Sequence, residues 1–454
     1  MKKFFYSAIR LVTIYLLVVK YAFVFAWWTL KRFLPGGKKD EFNQNALTRF
    51  AWCFRRMLED LGATFIKMGQ IMSTRPDIFP PFFIDELKHL QDNVPPFDPR
   101  LIPHEFEFAF GKQPREIFAE FNETPIASAS VAQVHEARLK TGERVAVKIR
   151  RPGVQQKVEY DLAVMRIFAK SISFIPSVEV TSPVETVEEF GNAIKGQLDL
   201  RNEANNNRRF RKNFEGNQFV GFPRLYEDYC AENILVMEFV TGYHIDDVGQ
   251  TDCDPQWLAR HGLRAIFQMI YKDGFVHADL HPGNFLFNNG NHVTYLDVGM
   301  VGELSDRDRE NFIESFMAMA DNNGPKVAEC LMNFAPSHRI RDYDEYVKDV
   351  STHVNEFFGK PLNEIEISIA VAKMVNILRK HRVRVNAAYT VVNVGLLVAE
   401  GVGRKLYPQI NLNEELYPFL NELFQEMMKR RLAQMKVQAE QAAKQRAAGS
   451  AASA

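Results

Sequence analysis

Two aspartates and one asparagine near the middle of the chain have the types and spacing of a magnesium–nucleotide site. Asp279 and Asn284 stand five residues apart in the stretch 277–284, and Asp297 follows Asn284 by thirteen residues. Mg²⁺ prefers oxygen ligands, which carboxylate and amide side chains supply. The alternative is a polar turn, where Asp and Asn are common. The spacing favours the metal site.

The segment between Asn284 and Asp297 predicts a β-hairpin that brings its two ends together. Residues 285–287 and 293–296 are apolar strand segments, and the Asn-Asn-Gly sequence at 288–290 is typical of the turn between them. The five-residue spacing is that of the H-R-D-x-x-x-x-N catalytic loop, and Asp297-Val298-Gly299 stands where a D-F-G sequence would. Asp279 is therefore the predicted catalytic residue, and Asn284 and Asp297 are predicted metal ligands.

A lysine on an apolar strand supplies a candidate phosphate contact. In residues 144–149, Val145, Val147 and Ile149 point to one face of the strand, and Ala146 and Lys148 point to the other. Lys148 thus shares a face with a small residue that leaves room for a flat base. An edge lysine that extends to solvent is the alternative for Lys148 taken alone.

A turn of small residues precedes this strand, at the position where a kinase carries its glycine-rich loop. Small side chains let backbone N–H groups approach phosphates, although this loop is stiffer than one made of glycine. The predicted cofactor-binding residues of the turn are Ala127, Ser128, Ala129, Ser130, Val131 and Ala132.

Two further segments complete the predicted nucleotide site. A helix predicted over 184–214 carries Asp199 and Glu203 four residues apart, and Glu203 is the candidate ion-pair partner of Lys148. A solvated helix face is the alternative. The apolar strand predicted over 234–240 falls where a hinge between two lobes would lie. Backbone groups from Glu238 to Val240 are candidates for binding an adenine edge, and a buried core strand is the equal alternative.

Three motifs in order now identify a family resemblance: Lys67-Met68-Gly69-Gln70, the alanine-rich turn with its continuation to His135, and residues 277–284. From about residue 50 to 408 the chain resembles the UbiB family of atypical kinases, of the bacterial ubiquinone-biosynthesis type. The resemblance implies an α+β, protein-kinase-like two-lobed fold with an N-terminal helical extension and a helix-rich C-terminal lobe. It further implies binding of ATP and Mg²⁺, ATPase activity rather than protein phosphorylation, and support of ubiquinone biosynthesis at a membrane. The implied partners are ubiquinone precursors and other ubiquinone-biosynthesis proteins.

The resemblance also assigns roles to individual residues. It matches Lys148 to the lysine on the phosphates, Glu203 to its ion-pair partner, and Asp279 to the catalytic-loop aspartate. Asn284 and Asp297 match the metal ligands.

The Lys-x-Gly-Gln signature adds a predicted regulatory set of Lys67, Gln70 and Asp199. Lys67 and Gln70 lie on one side of a helix predicted over 50–73. In the family this helix covers the nucleotide site, and its lysine contacts acidic residues beside the ion-pair glutamate. The family pattern there is Glu-x-Asp, but this chain has Gln197-Leu198-Asp199, so we expect Lys67 to pair with Asp199 and to gain only a neutral hydrogen bond from Gln197.

The sequence after Asp297-Val298-Gly299 argues against a protein substrate. Ser305 is a good helix N-cap, so a new helix is predicted to begin almost at once. Little chain remains for an activation loop or a platform that binds a peptide.

The first thirty residues are almost wholly apolar and carry no acidic residue. On a helix, Lys2, Lys3, Ser7, Arg10, Thr13, Lys20, Lys31 and Arg32 fall within an arc of about 140°, as in a helix that lies in a membrane interface. The stretch 11–30 is also long enough to span, but a central Lys20 costs roughly 2.5–3.5 kcal/mol unless it snorkels or pairs. A buried core helix is the remaining alternative. More cations follow the segment than precede it, which favours a catalytic body in the cytoplasm. Together with the family resemblance, this implies a location at the bacterial inner membrane.

Composition and length set the remaining bounds. The 454 residues contain 56 Lys and Arg against 56 Asp and Glu, so no nucleic-acid partner is indicated. The four cysteines show no C-x-x-C spacing, which favours a reducing compartment. The predicted organisation is a membrane-associating helix (1–32), a helical extension with the Lys-x-Gly-Gln motif (33–120), a small kinase-like lobe (121–240), a large helical lobe (241–428) and a charged or disordered tail (429–454).

Two functions of different classes stay open from the sequence. The first is an ATPase or atypical kinase that handles lipophilic ubiquinone precursors at a membrane. The second is a non-catalytic, ATP-gated lipid-binding scaffold. Retention of Asp279, Asn284 and Asp297 together favours the enzyme.

Overall fold

The structure is a computed structural model that describes residues 2–31, 46–73, 79–90, 94–174, 183–280, 282–335, 337–338, 340–357, 367–410 and 412–452. The chain divides into two compact units. The first contains Met1–Tyr243, Gly283–Asn288 and Thr294–Met300, and the second contains the rest. The division at Tyr243 lies close to the predicted boundary between 240 and 241, and the domain assignment stays a prediction.

The first unit holds an N-terminal set of helices, a β-sheet and two helices that follow the sheet. Its helices are α1 (Lys2–Lys31), α2 (Ala46–Leu61), α3 (Ala63–Ser73), α4 (Pro81–Leu87), α5 (Ile102–Phe110), α6 (Pro114–Ile117), α7 (Val154–Ile172), α8 (Pro183–Leu198) and α9 (Leu200–Asn213). Its strands are β1 (Phe118–Phe121), β2 (Ala127–Ser128), β3 (Ala132–Leu139), β4 (Arg144–Arg150), β5 (Val220–Gly221), β6 (Ile234–Glu238) and β8 (Phe285–Asn288), with the end of β9 (His292–Tyr295).

The second unit is mainly helical. Its helices are α10 (Pro255–Phe267), α11 (Asp306–Ala320), α12 (Gly324–Asn333), α13 (Tyr343–Phe357), α14 (Ile367–Lys380), α15 (Ala387–Leu406) and α16 (Leu412–Ala452). Two short antiparallel pairs join β7 (Phe275–His277) to β10 (Val301–Glu303) and β11 (Ser337–His338) to β12 (Val383–Arg384). Helix α16 continues through the segment predicted as a tail, and the disorder predicted there stays a prediction.

The main sheet of the first unit is antiparallel, in the order β1-β3-β4-β6, with β2 paired to β3. Alternation along β4 divides its side chains between two cores. Val145, Val147 and Ile149 pack on one face with α5, whereas Ala146 packs on the other face with Leu200 of α9. The face assignment predicted for this strand is confirmed.

The helix predicted over 50–73 is broken, which corrects the sequence interpretation. Gly62 has φ +91°, a conformation that a glycine adopts without steric cost, and it separates α2 from α3. The signature glycine of the motif, Gly69, lies against apolar side chains, and a Cβ there would stand 2.2 Å from Leu90 Cδ1 and 2.7 Å from Leu58 Cδ1. The motif helix therefore packs closely on its neighbours because this position has no side chain.

The predictions around the metal-site hairpin and the following helix are confirmed. Strands β8 and β9 flank a turn in which Gly290 and Asn291 both have positive φ, as a tight hairpin turn requires. Ser305 is the N-cap of α11, and its side chain and that of Asp308 form a capping box.

Candidate active site

Lys148 is held between two carboxylates inside the first unit. Its Nζ donates hydrogen bonds to Glu203 Oε1 and Oε2 at 2.9 and 2.8 Å, and to Asp297 Oδ2 at 2.8 Å. The Lys148 and Glu203 side chains are almost fully buried, whereas 44% of the Asp297 side chain is exposed. The ion pair expected between Lys148 and Glu203 is present, and the contact with Asp297 joins strand β4, helix α9 and the loop after β9.

Burial and charge act in opposite directions on these groups. Burial, the larger effect, raises the pKa of Glu203 to about 7, although the ammonium of Lys148 opposes this. For Asp297, burial acts to raise the pKa, but Lys148 and a backbone hydrogen bond from Gly299 outweigh it and lower the pKa. Burial likewise opposes the charged form of Lys148, but Asp297 and Glu203 raise its pKa overall. Lys148 is therefore a fixed positive charge at this site.

The two residues that follow Asp297 are each held by a hydrogen bond. The Gly299 N–H donates to Asp297 Oδ1 at 2.9 Å, and Asn206 Nδ2 on α9 donates to the carbonyl of Val298 at 2.9 Å. A Cβ on Gly299 would lie 3.1 Å from Asp297 Oδ1 and 3.4 Å from Glu203 Oε2. Glycine is thus the residue that lets this backbone lie against both carboxylates.

Asn284 is brought beside the Asp297 loop by the hairpin. Its carbonyl accepts a hydrogen bond of 2.8 Å from the N–H of Leu296, the residue before Asp297. Asn284 is buried. One carboxylate and one amide from adjacent chain segments fit Mg²⁺, which is commonly bound by one or two protein oxygens together with water and phosphate.

The predicted catalytic residue, Asp279, belongs to the second unit. Its backbone N–H donates to Nδ1 of the buried His277, 3.1 Å away, which orients the chain after β7. The role assigned to Asp279 stays a prediction. His281 in the same motif lies outside the described residues.

The small-residue turn is a β-hairpin corner, with Ala127 and Ser128 in β2, Ala132 at the start of β3, and Ala129, Ser130 and Val131 between them. Arg151 holds this corner with three hydrogen bonds. Its Nε donates to the Ala129 carbonyl at 2.7 Å, its Nη2 donates to Ser128 Oγ at 2.8 Å, and its backbone N–H donates to the Val131 carbonyl at 2.9 Å. Arg151 therefore positions the predicted phosphate loop.

Sequence reasoning missed Arg151 and its neighbour Arg150. Arg150 Nη1 donates to the Leu198 carbonyl at 2.7 Å and to Glu232 Oε1 at 2.8 Å. The available signal was a pair of arginines closing an apolar strand immediately before Pro152.

The predicted hinge residues differ in what their backbones offer. Strand β6 ends at Glu238, whose N–H donates to the Arg224 carbonyl at 2.8 Å. Val240 lies beyond the strand, and its N–H makes no backbone hydrogen bond within the described residues. Val240 is thus the better of the two candidates for the edge of a base.

The helix predicted over 184–214 is interrupted at Asp199, which corrects the sequence interpretation of this segment. Asp199 is the extended N-cap of α9, and its carboxylate accepts from the backbone N–H of Arg201 at 3.1 Å and from the guanidinium at 2.7 and 2.9 Å. An N-cap aspartate satisfies the free N–H groups of the helix start, so this carboxylate is committed locally. The pairing of Lys67 with Asp199 stays a prediction.

The charge of Lys67 acts on the Lys148 cluster. It is buried on α3, and its positive charge contributes to lowering the pKa of Glu203 and of Asp297, after the larger effects of burial and Lys148. The site therefore contains two lysines and two carboxylates. Gln70 Oε1 and Gln197 Nε2 are buried without a hydrogen-bond partner among the described residues.

Comparisons with known proteins agree with this architecture. Residues 89–331 match the ABC1 atypical kinase-like domain, and residues 350–411 match the UbiB helical domain. A protein from Pasteurella multocida (strain Pm70) named "Probable protein kinase UbiB" is 34% identical, over 85% of this chain and 77% of its own length. One of the same name from Tolumonas auensis is 36% identical, over 81% of this chain and 69% of its own length.

A solved structure shows the same fold. The Mycobacterium tuberculosis protein Rv3197, solved as a complex with erythromycin, superposes with a TM-score of 0.56 at 22% identity and covers 84% of this chain and 98% of its own. The predicted fold class is confirmed: α+β and protein-kinase-like, with an N-terminal helical extension and a helix-rich C-terminal region. The chain belongs to the UbiB family of ABC1 atypical kinase-like proteins.

Proposed function

We propose that the chain binds Mg²⁺-ATP and turns it over at a membrane, in support of ubiquinone biosynthesis. The observation that carries the proposal is the position of Lys148, bonded at once to Glu203 and Asp297. Lys148 and Glu203 form the ion pair that kinase folds use to hold a lysine against nucleotide phosphates. A buried, permanently charged lysine is suited to that task.

Each residue of the site has a distinct part in this function. Lys148 binds phosphate oxygens, and Glu203 orients its ammonium. Asp297 and Asn284 would hold Mg²⁺, which supplies positive charge to the phosphates when bound. The Ala129–Val131 corner, held by Arg151, presents backbone groups to the phosphates, and Val240 offers its backbone to the base. Asp279 is the proposed proton acceptor or orienting group for the attacking oxygen.

Water or a small lipophilic alcohol is a more suitable acceptor than a protein. Helix α11 begins at Asp306, shortly after Gly299, so the chain offers a short segment where an activation loop would bind a peptide. The bacterial inner membrane, with the catalytic body in the cytoplasm, is the proposed location. Ubiquinone precursors and other ubiquinone-biosynthesis proteins are the proposed partners.

The second candidate function is a scaffold that binds lipid under the control of ATP without turning it over. The direct bond between Lys148 and Asp297 favours it, because both groups must exchange partners before they bind phosphate and metal. This geometry therefore supports binding without turnover as the resting behaviour.

ATP turnover by the purified full chain distinguishes the two functions. Phosphate release is measured with and without vesicles that contain a prenylated phenol, for the natural chain, for Lys148→Met and for Lys88→Met, an exposed lysine on the surface. We expect turnover that Lys148→Met abolishes and Lys88→Met preserves. If the natural chain binds ATP but releases phosphate no faster than Lys148→Met, the scaffold function is correct and the enzyme function is wrong.

A further inference from the structure

Arg10 of helix α1 faces the protein rather than solvent. Arg10 Nε bonds Asp161 Oδ1 on α7 at 2.5 Å, and Arg10 Nη2 bonds the Leu61 carbonyl at 2.7 Å. Asp161 has no exposed surface. A buried carboxylate of this kind requires a partner, so Arg10 is a firm attachment between α1 and the body of the first unit.

A second attachment lies ten residues further along α1. Lys20 Nζ bonds Asp60 Oδ2 on α2 at 2.7 Å, and the buried Tyr21 donates its hydroxyl to the same oxygen at 2.9 Å. Ring contacts continue this side of the helix, from Phe25 to Phe50 of α2. At about 1.5 Å per residue, the two ion pairs fasten roughly 15 Å of α1 along the body.

The opposite side of α1 is a continuous row of exposed apolar residues. We call it the outer row, and it consists of Leu11, Val12, Tyr15, Leu16, Val18, Val19, Phe23, Trp27 and Leu30. Only 6% of the segment Arg10–Leu30 is buried. A helix on the surface of a protein in water normally has the reverse arrangement, with apolar residues inward and charges outward.

We propose that α1 lies flat on an anionic lipid bilayer, with the outer row in the boundary between headgroups and acyl chains, and does not cross the membrane. The proposal rests on the membrane association stated above and specifies its geometry. An apolar medium outside α1 accounts for the inverted arrangement, because the outer row then leaves water while Arg10 and Lys20 keep their carboxylate partners.

The two attachments exclude a crossing helix. If α1 crossed the bilayer while bonded to Asp60 and Asp161, helices α2 and α7 would enter the hydrocarbon with it. Helix α2 carries Arg55, Arg56 and Glu59 beside Asp60, and each charged group costs several kcal/mol, about 2.5 or more, at the bilayer centre. Lying in the plane of the interface avoids that cost and keeps both ion pairs.

Charge complementarity selects a bilayer rather than a second copy of the chain. The sequence has Lys2 and Lys3 before the outer row and Lys31, Arg32, Lys38 and Lys39 after it, with no acidic residue before Asp40. Two copies that met through their outer rows would bring these like charges together, whereas anionic headgroups neutralise them. The side chains of Lys2, Lys3, Ser7 and Lys31 and all of Arg32 lie outside the described part of the chain, so the predicted polar arc is described only at Arg10, Thr13 and Lys20.

Depth measurements along the outer row test the orientation. Val12→Cys, Val19→Cys and Ala26→Cys are made in the full chain with its four native cysteines replaced by alanine. These exposed positions lie seven residues apart and therefore on nearly the same side of the helix. Each carries a fluorescent label whose depth is read by spin-labelled lipids in phosphatidylcholine–phosphatidylglycerol vesicles. We expect equal depths, within about one helical turn of 5 Å. Depths that change steadily, by about 10 Å from one position to the next, would show a crossing helix and overturn the proposal.

Vesicle flotation tests the occupant of the outer row. The double variant Leu16→Glu with Phe23→Glu should bind the same vesicles at least tenfold more weakly, and Phe108→Glu, an exposed apolar residue on α5, should bind like the natural chain. Analytical ultracentrifugation accompanies flotation. A dimer that the double variant dissociates, together with no vesicle binding by the natural chain, would assign the row to a second copy.

ATP binding is measured on every variant to keep the two proposals separate. Normal ATP binding with a steep depth gradient overturns only the flat orientation. Equal depths without ATP binding overturn only the nucleotide function. Absence of vesicle binding by the natural chain removes both the orientation and the membrane part of the proposed function.

Discussion

Lys148 and Asp297, 149 residues apart in the chain, are joined by a hydrogen bond of 2.8 Å that also links the β4 strand to the predicted metal loop. Lys148 keeps two further bonds to Glu203, so it stays in place when the bond to Asp297 opens. Asp297 is half-exposed and can then exchange the lysine for a metal. Because of this exchange, we expect the binding of Mg²⁺-ATP to require Asp297.

We expect Asp297→Asn to weaken Mg²⁺-ATP binding while the chain stays folded. The amide keeps the size of the side chain but removes its charge, and loss of one charged interaction of about 1.5–3 kcal/mol corresponds to roughly 10- to 100-fold in affinity. Isothermal titration calorimetry measures the dissociation constant. Asp85→Asn, an exposed aspartate on α4, is the matched control. An unchanged affinity in folded Asp297→Asn would remove Asp297 from the metal site.

Gly299→Ala should weaken nucleotide binding, and the loss of binding free energy should exceed the loss of unfolding free energy. The new methyl group would stand 3.1 Å from Asp297 Oδ1, so the carboxylate must move by a few tenths of an ångström. The control is Gly196→Ala in α8, where a Cβ meets nothing within 4 Å. That control should raise the unfolding free energy by about 0.5–1 kcal/mol, the helix preference of alanine over glycine, and leave affinity alone. Equal affinities in both variants would show that Asp297 tolerates the shift.

Lys67→Met should change nucleotide preference or expose self-phosphorylation. The substitution removes a positive charge that lowers the pKa of Glu203 and Asp297, so it loosens the group of charges around Lys148. Nucleotide affinities and incorporation of labelled phosphate are the measurements.

Asp199→Ala distinguishes this account from the pairing expected from the sequence. Loss of the N-cap should cost about 1 kcal/mol of unfolding free energy with nucleotide affinity unchanged, because the Asp199 carboxylate bonds the backbone N–H and the guanidinium of Arg201. If Asp199→Ala reproduced the Lys67→Met behaviour, the two residues would be partners after all.

The pH dependence of stability should report the buried Glu203. Burial raises the pKa of this carboxyl from 4.5 to about 7, so the folded chain binds its proton more tightly than the unfolded chain does. The associated stability is fully present below pH 4.5 and is lost as the pH rises through 7. Chemical unfolding of the natural chain and of Glu203→Gln is compared across this range.

The free energy of the natural chain should fall relative to Glu203→Gln by no more than about 3 kcal/mol between pH 4.5 and 7. Other groups that titrate in this range contribute equally to both proteins. Parallel profiles would mean that Glu203 is ionised throughout, as a simple partner of Lys148.

Local patterns in the sequence determined the parts of the site that are built from near neighbours. Alternation in β4 placed Lys148 opposite Val145 and Val147, and the Asn-Gly turn predicted the hairpin that sets Asn284 beside the Asp297 loop. Ser305 identified the start of α11. These features depend on contacts between residues a few positions apart, where the period of a strand or the chemistry of a cap is decisive.

Only the tertiary structure decided which distant charges meet. Asp199 is four residues from Glu203, yet it caps α9 and bonds Arg201, while Lys67 acts on Glu203 and Asp297. Arg10 and Lys20 were predicted to lie on the polar arc of an interfacial helix, and the structure pairs them with Asp161 and Asp60. A charge pattern along one helix shows on which side of that helix the charges lie, but it does not identify their ion-pair partners. The partners lie on other helices, and the packing of the whole unit selects them.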